Sequence, residues 1–337
     1  MEKQTPFNSQ ESNPSPVAER IEELLQKSKW KRSSPDSPNT TIENNGQTFL
    51  LRTIESGDDE SVSHIQQLFE KTFGKEEIDP EAILRAAVDG VTATGIPQSK
   101  YRIVAVTNEN GEIAGTIAGA SFALTDASEN PTNDMVYFVG YAAMDESTRQ
   151  GGLAREAYIS ALIDAKQEAM KQGKNLRFAF GECTASSERF WNNVGWKRIY
   201  GKADTGTYDE LPYMQPALDF DQNSGAPAAG AGTTPEHLMM DSFGANSPSK
   251  DDIMRAYTAF MRYNTMDWSR EAFASDEAFS LHQSYMQSLR AEIEHFLESH
   301  GAIAFLDSSE REELQSTGTL INNHAGPKND SVEENLS

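Results

Sequence analysis

The run Arg149-Gln150-Gly151-Gly152-Leu153-Ala154 lies between an apolar, strand-like stretch from Met135 to Met144 and a helical one from Ala154 to Gln172. A strand that turns through glycines into a helix makes an anion cradle. The two glycines let the backbone turn without Cβ clashes. The amides of the first helical turn then point outward, with the positive end of the helix dipole behind them. No Lys-Ser or Lys-Thr follows the glycines, so this is not the phosphate loop of a nucleoside triphosphatase. The wider G-x-G-x-x-G of dinucleotide folds is also absent. A cofactor diphosphate such as that of coenzyme A remains.

The flanking periodicities place this turn in a larger order. Thr48 to Ile54 is β-branched and apolar and predicts a first strand. Ile65, Leu68, Phe69 and Phe73 recur at helical spacing, and a second helical pattern runs from Ile83 to Val88. Arg102 to Thr107 and Glu112 to Leu124 flank Asn108-Glu109-Asn110-Gly111, a hairpin signal in which Asn-Gly supplies positive φ angles. Asp134 to Met144 is a fourth strand, Leu176 to Phe180 a fifth, Ser186 to Val194 a short helix and Trp196 to Tyr200 a sixth strand. Glu236 to Met240 supplies a last strand after a Gly/Ala/Pro-rich linker. The sum is a mixed, mostly antiparallel α/β sheet with helices on both faces.

Within that order, Ala143 to Ala154 resembles motif A of the GNAT superfamily of acetyltransferases, with Arg149, Gly152 and Ala154 at its Arg/Gln, Gly and Gly/Ala positions. Ser187 to Trp196 is similar to the family's second signature, a short helix ending in an aromatic, then Gly and an aromatic that opens the next strand. The resemblance spans about residues 47 to 243 and implies an N-acetyltransferase using acetyl-CoA as cosubstrate. It implies cofactor contacts from the strand end at Ala143 and Met144, from Arg149, Gln150, Gly151, Gly152, Leu153 and Ala154, and from Thr184 and Trp191. It also implies that strands four and five splay apart beyond the glycine turn to admit the pantetheine arm.

Acetyl transfer needs a neutral amine, so a base must take its proton, and a donor helps the departing thiolate. Glu182, following Phe178-Ala179-Phe180-Gly181, stands at the end of strand five and is the expected base; its structural alternative is to cap the Ser186 to Val194 helix or pair with Arg189. Asp145 and Glu146 are the lesser acidic alternatives. Many family members place a tyrosine as acid where this chain has Trp191, and Thr184 stands where the family often has asparagine. The indole N–H has no proton to give at neutral pH. Either Tyr200, Tyr141 or another hydroxyl substitutes, or the thiolate leaves without an acid. Cys183, with no histidine near it in sequence, reads as packing, and no histidine pairing predicts a metal site.

A formal net charge of −23 argues against nucleic acid or an anionic membrane as partner and suits a cationic acceptor, either a small amine or a protein amino group. A single cysteine and no membrane-length apolar run lead to the expectation of a cytoplasmic protein. Residues 1–46, rich in Ser, Pro and Asn, read as a disordered arm, although Val17, Ile21, Leu24 and Leu25 make a short helical stripe. Residues 47–245 read as the acetyltransferase-like domain and 317–337 as a disordered tail. Residues 246–316 read as a helical extension whose stripe, from Ile253 through Leu297, packs against the sheet domain or a second copy in a homodimer. The rival reading is a protein that binds acyl-CoA as sensor or scaffold with little turnover.

Overall fold

The apolar alternation and turn chemistry build the sheet seen in the computed structural model, which describes residues 15–90, 100–126, 128, 130–149, 151–217, 219–228, 236–244, 248–262 and 270–321. The chain opens with α1 (Pro16–Gln26), β1 (Lys31–Arg32), β2 (Thr40–Asn44) and β3 (Gln47–Thr53), then α2 (Asp59–Phe73) and α3 (Glu81–Val88). The strands β4 (Lys100–Asn108), β5 (Ile113–Thr125) and β6 (Pro131–Met144) lead into α4 (Leu153–Lys171). There follow β7 (Asn175–Cys183), α5 (Glu188–Asn193), β8 (Lys197–Lys202), β9 (Tyr208–Glu210) and β10 (His237–Asp241). The C-terminal part adds α6 (Lys250–Met261), α7 (Asp276–Ser299), β11 (Ala302–Leu306), α8 (Ser308–Ser316) and β12 (Leu320–Ile321).

Among the described residues the strands form one sheet in the order β1-β2-β3-β4-β5-β6-β7-β10-β8-β9-β12, with β11 also paired to β8. Only β6 with β7 and β9 with β12 run parallel; the other pairs are antiparallel. The β4–β5 hairpin forms at the Asn108 to Gly111 turn: Gly111 takes φ +84°, and the Asn108 side-chain oxygen accepts the amides of Asn110 and Glu112. Two apolar cores cover the two faces. One joins α2, α3, α6 and α7 to Phe138, Phe178 and Phe180, and the other joins α1, α4 and α5 to Tyr137, Val139 and Ala179.

Expectations about both ends of the domain need correction. The arm assigned to residues 1–46 is folded from residue 15 onward: α1 buries Val17, Ile21 and Leu24 against α4 and α5, and β2 joins the sheet beside β3. Long-range ion pairs hold it. Arg20 Nε donates to Asp241 at 2.9 Å, and Arg32 Nη1 to Glu156 at 3.1 Å, with the last two side chains 2% and 0% exposed. Residues 1–14 lie outside the described residues. The stripe of the helical extension packs against the sheet domain, but the segment is not helical throughout. Phe260 meets Phe138 and Phe180 in the core at ring distances of 4.6 and 6.2 Å, and β11 extends the sheet beside β8. The tail assigned to 317–337 begins with ordered chain, since β12 pairs with β9; residues 322–337 are outside the described residues.

Candidate functional site

The site begins where two parallel strands part. β6 and β7 pair from Asp134 opposite Asn175 to Val139 opposite Gly181, with one register shift after Met135, and beyond Val139 share no further pairs among the described residues. A Cβ on Gly181 would lie 2.6 Å from the Val139 carbonyl oxygen and 3.2 Å from the Trp196 ring, so only glycine permits this last close approach. On the other edge of β6 the register against β5 shifts: Ala118 faces Tyr141 while Gly119 faces Val139, leaving Gly140 as an extra residue. Such a bulge moves the following side chains to the opposite face. Tyr141 thereby joins the α2 side, its ring 4.7 Å from Phe69, and its hydroxyl donates to the Asp79 carboxylate at 3.1 Å.

On that same face stands Glu182. Alternation along β7 sends Phe178 and Phe180 into the α6 side and Ala179 and Cys183 into the α4 side, so Glu182 points with the phenylalanines. It is partly exposed, and the Tyr213 hydroxyl donates to Oε1. Burial raises the Glu182 carboxyl to about 7, against the opposing effect of the Tyr213 hydrogen bond. Burial also raises Glu236, and the neighbouring charges of Glu182 and Glu77 add to it. Asp79 is raised by burial despite its bond from Tyr141. Burial holds the Tyr141 and Tyr213 hydroxyls protonated far above neutrality. The result is a carboxyl held up to about 7 with the Tyr213 hydroxyl on it, and Tyr141 bonded to Asp79 on the same face.

Glu182 neither caps α5 nor pairs with Arg189. Arg198 and Arg311 take Glu188 instead. Asp145 is occupied as the cap of the turn before the glycines, accepting from Ser147 and pairing with Lys71, and those Ser147 bonds hold its carboxyl down at about 2.

The glycine turn sits at the head of α4. Gly152 is its N-terminal cap residue with φ +79° and no side-chain cap, and both glycines are exposed. Among the described residues the amides of Gly152, Leu153 and Ala154 have no acceptor, whereas Gly151 donates to the Thr148 carbonyl and Arg155 to that of Gly152. Three outward donors at the positive end of a 19-residue helix fit a diphosphate. Arg149 Nε donates to the Met144 carbonyl at 3.2 Å, which ties the turn to the end of β6. Ala143, Met144 and Leu153 are buried. Gln150 lies outside the described residues.

The remaining expected residues fall elsewhere. Trp191 is 4% exposed, its ring 4.4 Å from Trp196 and 6.0 Å from Tyr158, so it belongs to the core and not to a cofactor wall. Thr184 closes the turn into α5, its carbonyl accepting the amides of Ser187 and Glu188 and its hydroxyl bonding Ser186. Tyr200 is 1% exposed in a separate cluster with Leu306 and Leu320. The extension covers it, and it is not an acid for this site. Cys183 is buried packing, its thiol pushed up by burial.

Asp79, Glu236 and Tyr213 escape sequence reading: Asp79 and Tyr213 lie in irregular segments, and Glu236 reads only as the start of a strand. No local pattern marks them. No group of residues suited to a metal ion occurs among the described residues, and none of their helices is long and apolar enough to cross a membrane.

No protein-family model and no curated protein matches the chain. Among solved structures it is similar to a diaminobutyrate acetyltransferase from Paenibacillus lautus in complex with L-2,4-diaminobutyric acid and coenzyme A. That likeness has 16% identity, covers 60% of this chain and 100% of that one, and has a TM-score of 0.37. It is also similar to an aminoglycoside acetyltransferase from an uncultured soil metagenomic sample, with 13% identity, 44% and 87% coverage and a TM-score of 0.32. A GNAT-family acetyltransferase from Staphylococcus aureus shows 13% identity, 57% and 99% coverage and a TM-score of 0.33. The strand order with β10 inserted between β7 and β8, the bulge in β6, the parting of β6 from β7 and the glycine turn that opens α4 make a GNAT-like mixed, mostly antiparallel sheet flanked by helices on both faces.

Proposed function

We propose that this chain is an acyl-CoA-dependent N-acetyltransferase that moves an acetyl group from acetyl-CoA to a primary amine. The observation that carries the reading is the pairing of an outward-facing amide cradle at the head of α4 with a raised carboxyl, Glu182, at the parting of β6 and β7. The cradle holds the cofactor diphosphate through Gly152, Leu153 and Ala154. The β6 backbone from Tyr141 to Met144, freed from β7, offers strand-like hydrogen bonds to the pantetheine. Glu182 accepts the proton of the incoming ammonium, and the neutral nitrogen attacks the thioester carbonyl as the C–S bond breaks. The Tyr213 hydroxyl donates to Glu182 and that of Tyr141 to Asp79; once Glu182 has taken the amine proton, Tyr213 is the hydroxyl that can turn to the oxyanion or the thiolate. The carboxyl groups of Asp79, Glu182 and Glu236 favour entry of a cationic amine, whether free or on a protein.

Free thiol released from acetyl-CoA against a library of amines tests this directly. Turnover with at least one amine is the expected result. CoA binding without release from any amine would favour the rival reading, a sensor or scaffold, to which the core position of Trp191 lends weight because no tyrosine acid stands there.

A further inference from the structure

The chain segment between α1 and β1 passes over the head of α4 and places Trp30 against the glycine turn. The Trp30 indole Nε1–H donates to the Gly151 carbonyl at 2.7 Å. Its ring lies 3.8 Å from where a Cβ would stand on either Gly151 or Gly152. We infer that Trp30 is a positioning residue of the CoA cradle, one that fixes the Gly151–Gly152 peptide so that the Gly152 amide faces the diphosphate. The inference rests on the cofactor reading above and adds to it a residue from outside the motif.

In a trans peptide the carbonyl and the next amide point in opposite directions. With the Gly151 oxygen held by Trp30, the Gly152 N–H is turned away from the indole, on the side where both glycines are exposed. This orientation needs an external hold. Between two glycines a peptide plane can rotate with little steric cost, because neither flanking residue carries a Cβ and Gly152 already takes φ +79°. A free diglycine turn would present the carbonyl oxygen to an anion for part of the time, which repels it. Trp30 removes that alternative.

Trp30 is itself anchored at both ends. It is 7% exposed and sits edge-on to Phe49 at 5.5 Å, and its backbone amide donates to Ser28 Oγ at 2.9 Å. Ser28 in turn donates to Glu156, the buried partner of Arg32, and Arg32 Nη2 donates to Ser160 at 2.8 Å. The segment is thus clamped to the first two turns of α4, the helix whose amides it orients.

The test is Trp30→Phe, which keeps an aromatic ring and removes the N–H donor, with Ile42→Val, buried in the same core, as a packing control. In calorimetry the wild type is expected to bind CoA, Trp30→Phe to bind it about fivefold more weakly, as for the loss of one neutral hydrogen bond, and Ile42→Val to be unchanged. In steady-state kinetics the acetyl-CoA KM should rise by the same factor with kcat at saturation kept. Wild-type affinity in a folded Trp30→Phe, or an equal loss in Ile42→Val, overturns the inference. Should the variant fail to fold, hydrogen exchange of the Trp30 indole in the wild type decides: slow exchange is expected, and the rate of a free indole overturns the inference. Failure of the wild type to bind CoA at all counts against the cofactor reading, and is seen first.

Discussion

Glu182→Gln separates the two consequences of burying a base. The carboxyl ordinarily titrates near 4.5 and in the fold is pushed up to about 7. Because the folded value lies above the unfolded one, the native state binds more protons between the two. Stability therefore falls as pH rises through that window. At 1.36 kcal/mol for each tenfold change in the proton equilibrium, the penalty above pH 7 is about 3 kcal/mol, and it vanishes below about pH 4.5. Glutamine keeps the acceptor for the Tyr213 hydroxyl and carries no charge. Urea unfolding should find the variant more stable than the wild type by about 3 kcal/mol at pH 8.5, with little difference at pH 4.5. Relief of repulsion on Glu236 acts in the same direction. Turnover should meanwhile fall by about 10² to 10⁴ and lose the acidic limb expected of the wild type near pH 7. A stability difference that is the same at both pH values would mean that Glu182 carries no desolvated charge, and the assignment of the base would go with it.

Three further substitutions or truncations probe the rest of the site. Gly152→Asp places a Cβ at φ +79° and a negative charge beside the diphosphate, and calorimetry should show CoA binding weakened at least about tenfold; unchanged affinity in folded protein would displace the cradle. Arg32→Ala leaves Glu156 buried without its cation and should cost about 3–5 kcal/mol in chemical denaturation, whereas a loss under about 1 kcal/mol would return the N-terminal segment to the status of a loose arm. Removing the chain after residue 245 strips Ile253, Phe260, Met261, Leu289, Ile293 and Phe296 from the core around Phe138. At about 1.5–3 kcal/mol for each such side chain, the loss approaches or exceeds the 5–15 kcal/mol total of an ordinary domain. A soluble, cooperatively folding fragment of 1–245 would refute that.

What the sequence displayed and what it hid divide along the range of the interactions. The hairpin at Asn108 to Gly111, the glycine turn and the helical run of α4 are written in adjacent residues, and so they are legible. The helical stripe Val17, Ile21 and Leu24 is legible too, but its burial depends on the surface of α4 and α5 and on Arg20 reaching Asp241, 221 residues away. Polar composition around that stripe reads as disorder because the partners are distant in sequence. β11 is hidden for the same reason, its five residues becoming a strand only beside β8. Glu182 is legible because it ends an apolar strand. Tyr200 misleads because the chain that covers it begins a hundred residues later, at β11.

The arrangement of the two cores puts the two halves of the proposed site on opposite faces of the sheet. The glycine turn belongs to the face covered by α1, α4 and α5, while Glu182, Tyr141, Asp79 and Tyr213 belong to the face covered by α2, α3, α6 and α7. A continuous sheet would keep these two sets apart, since its backbone hydrogen bonds leave no passage between faces. The loss of pairing beyond Val139 and Gly181 opens such a passage at one place, and the extra residue Gly140 turns Tyr141 toward it. A donor anchored on one face can then reach an acceptor anchored on the other without either site crowding the next. Filling the passage should therefore impair transfer while sparing the cradle. Gly140→Val, which puts a branched side chain on the bulge beside the Phe138 ring, is expected to lower kcat for acetyl transfer by more than tenfold while CoA affinity for the diphosphate end, read with 3′-phosphoadenosine diphosphate, stays within about twofold. Loss of both in parallel would show that the parting of the strands and the glycine turn form a single unit, and that the two faces do not divide the work.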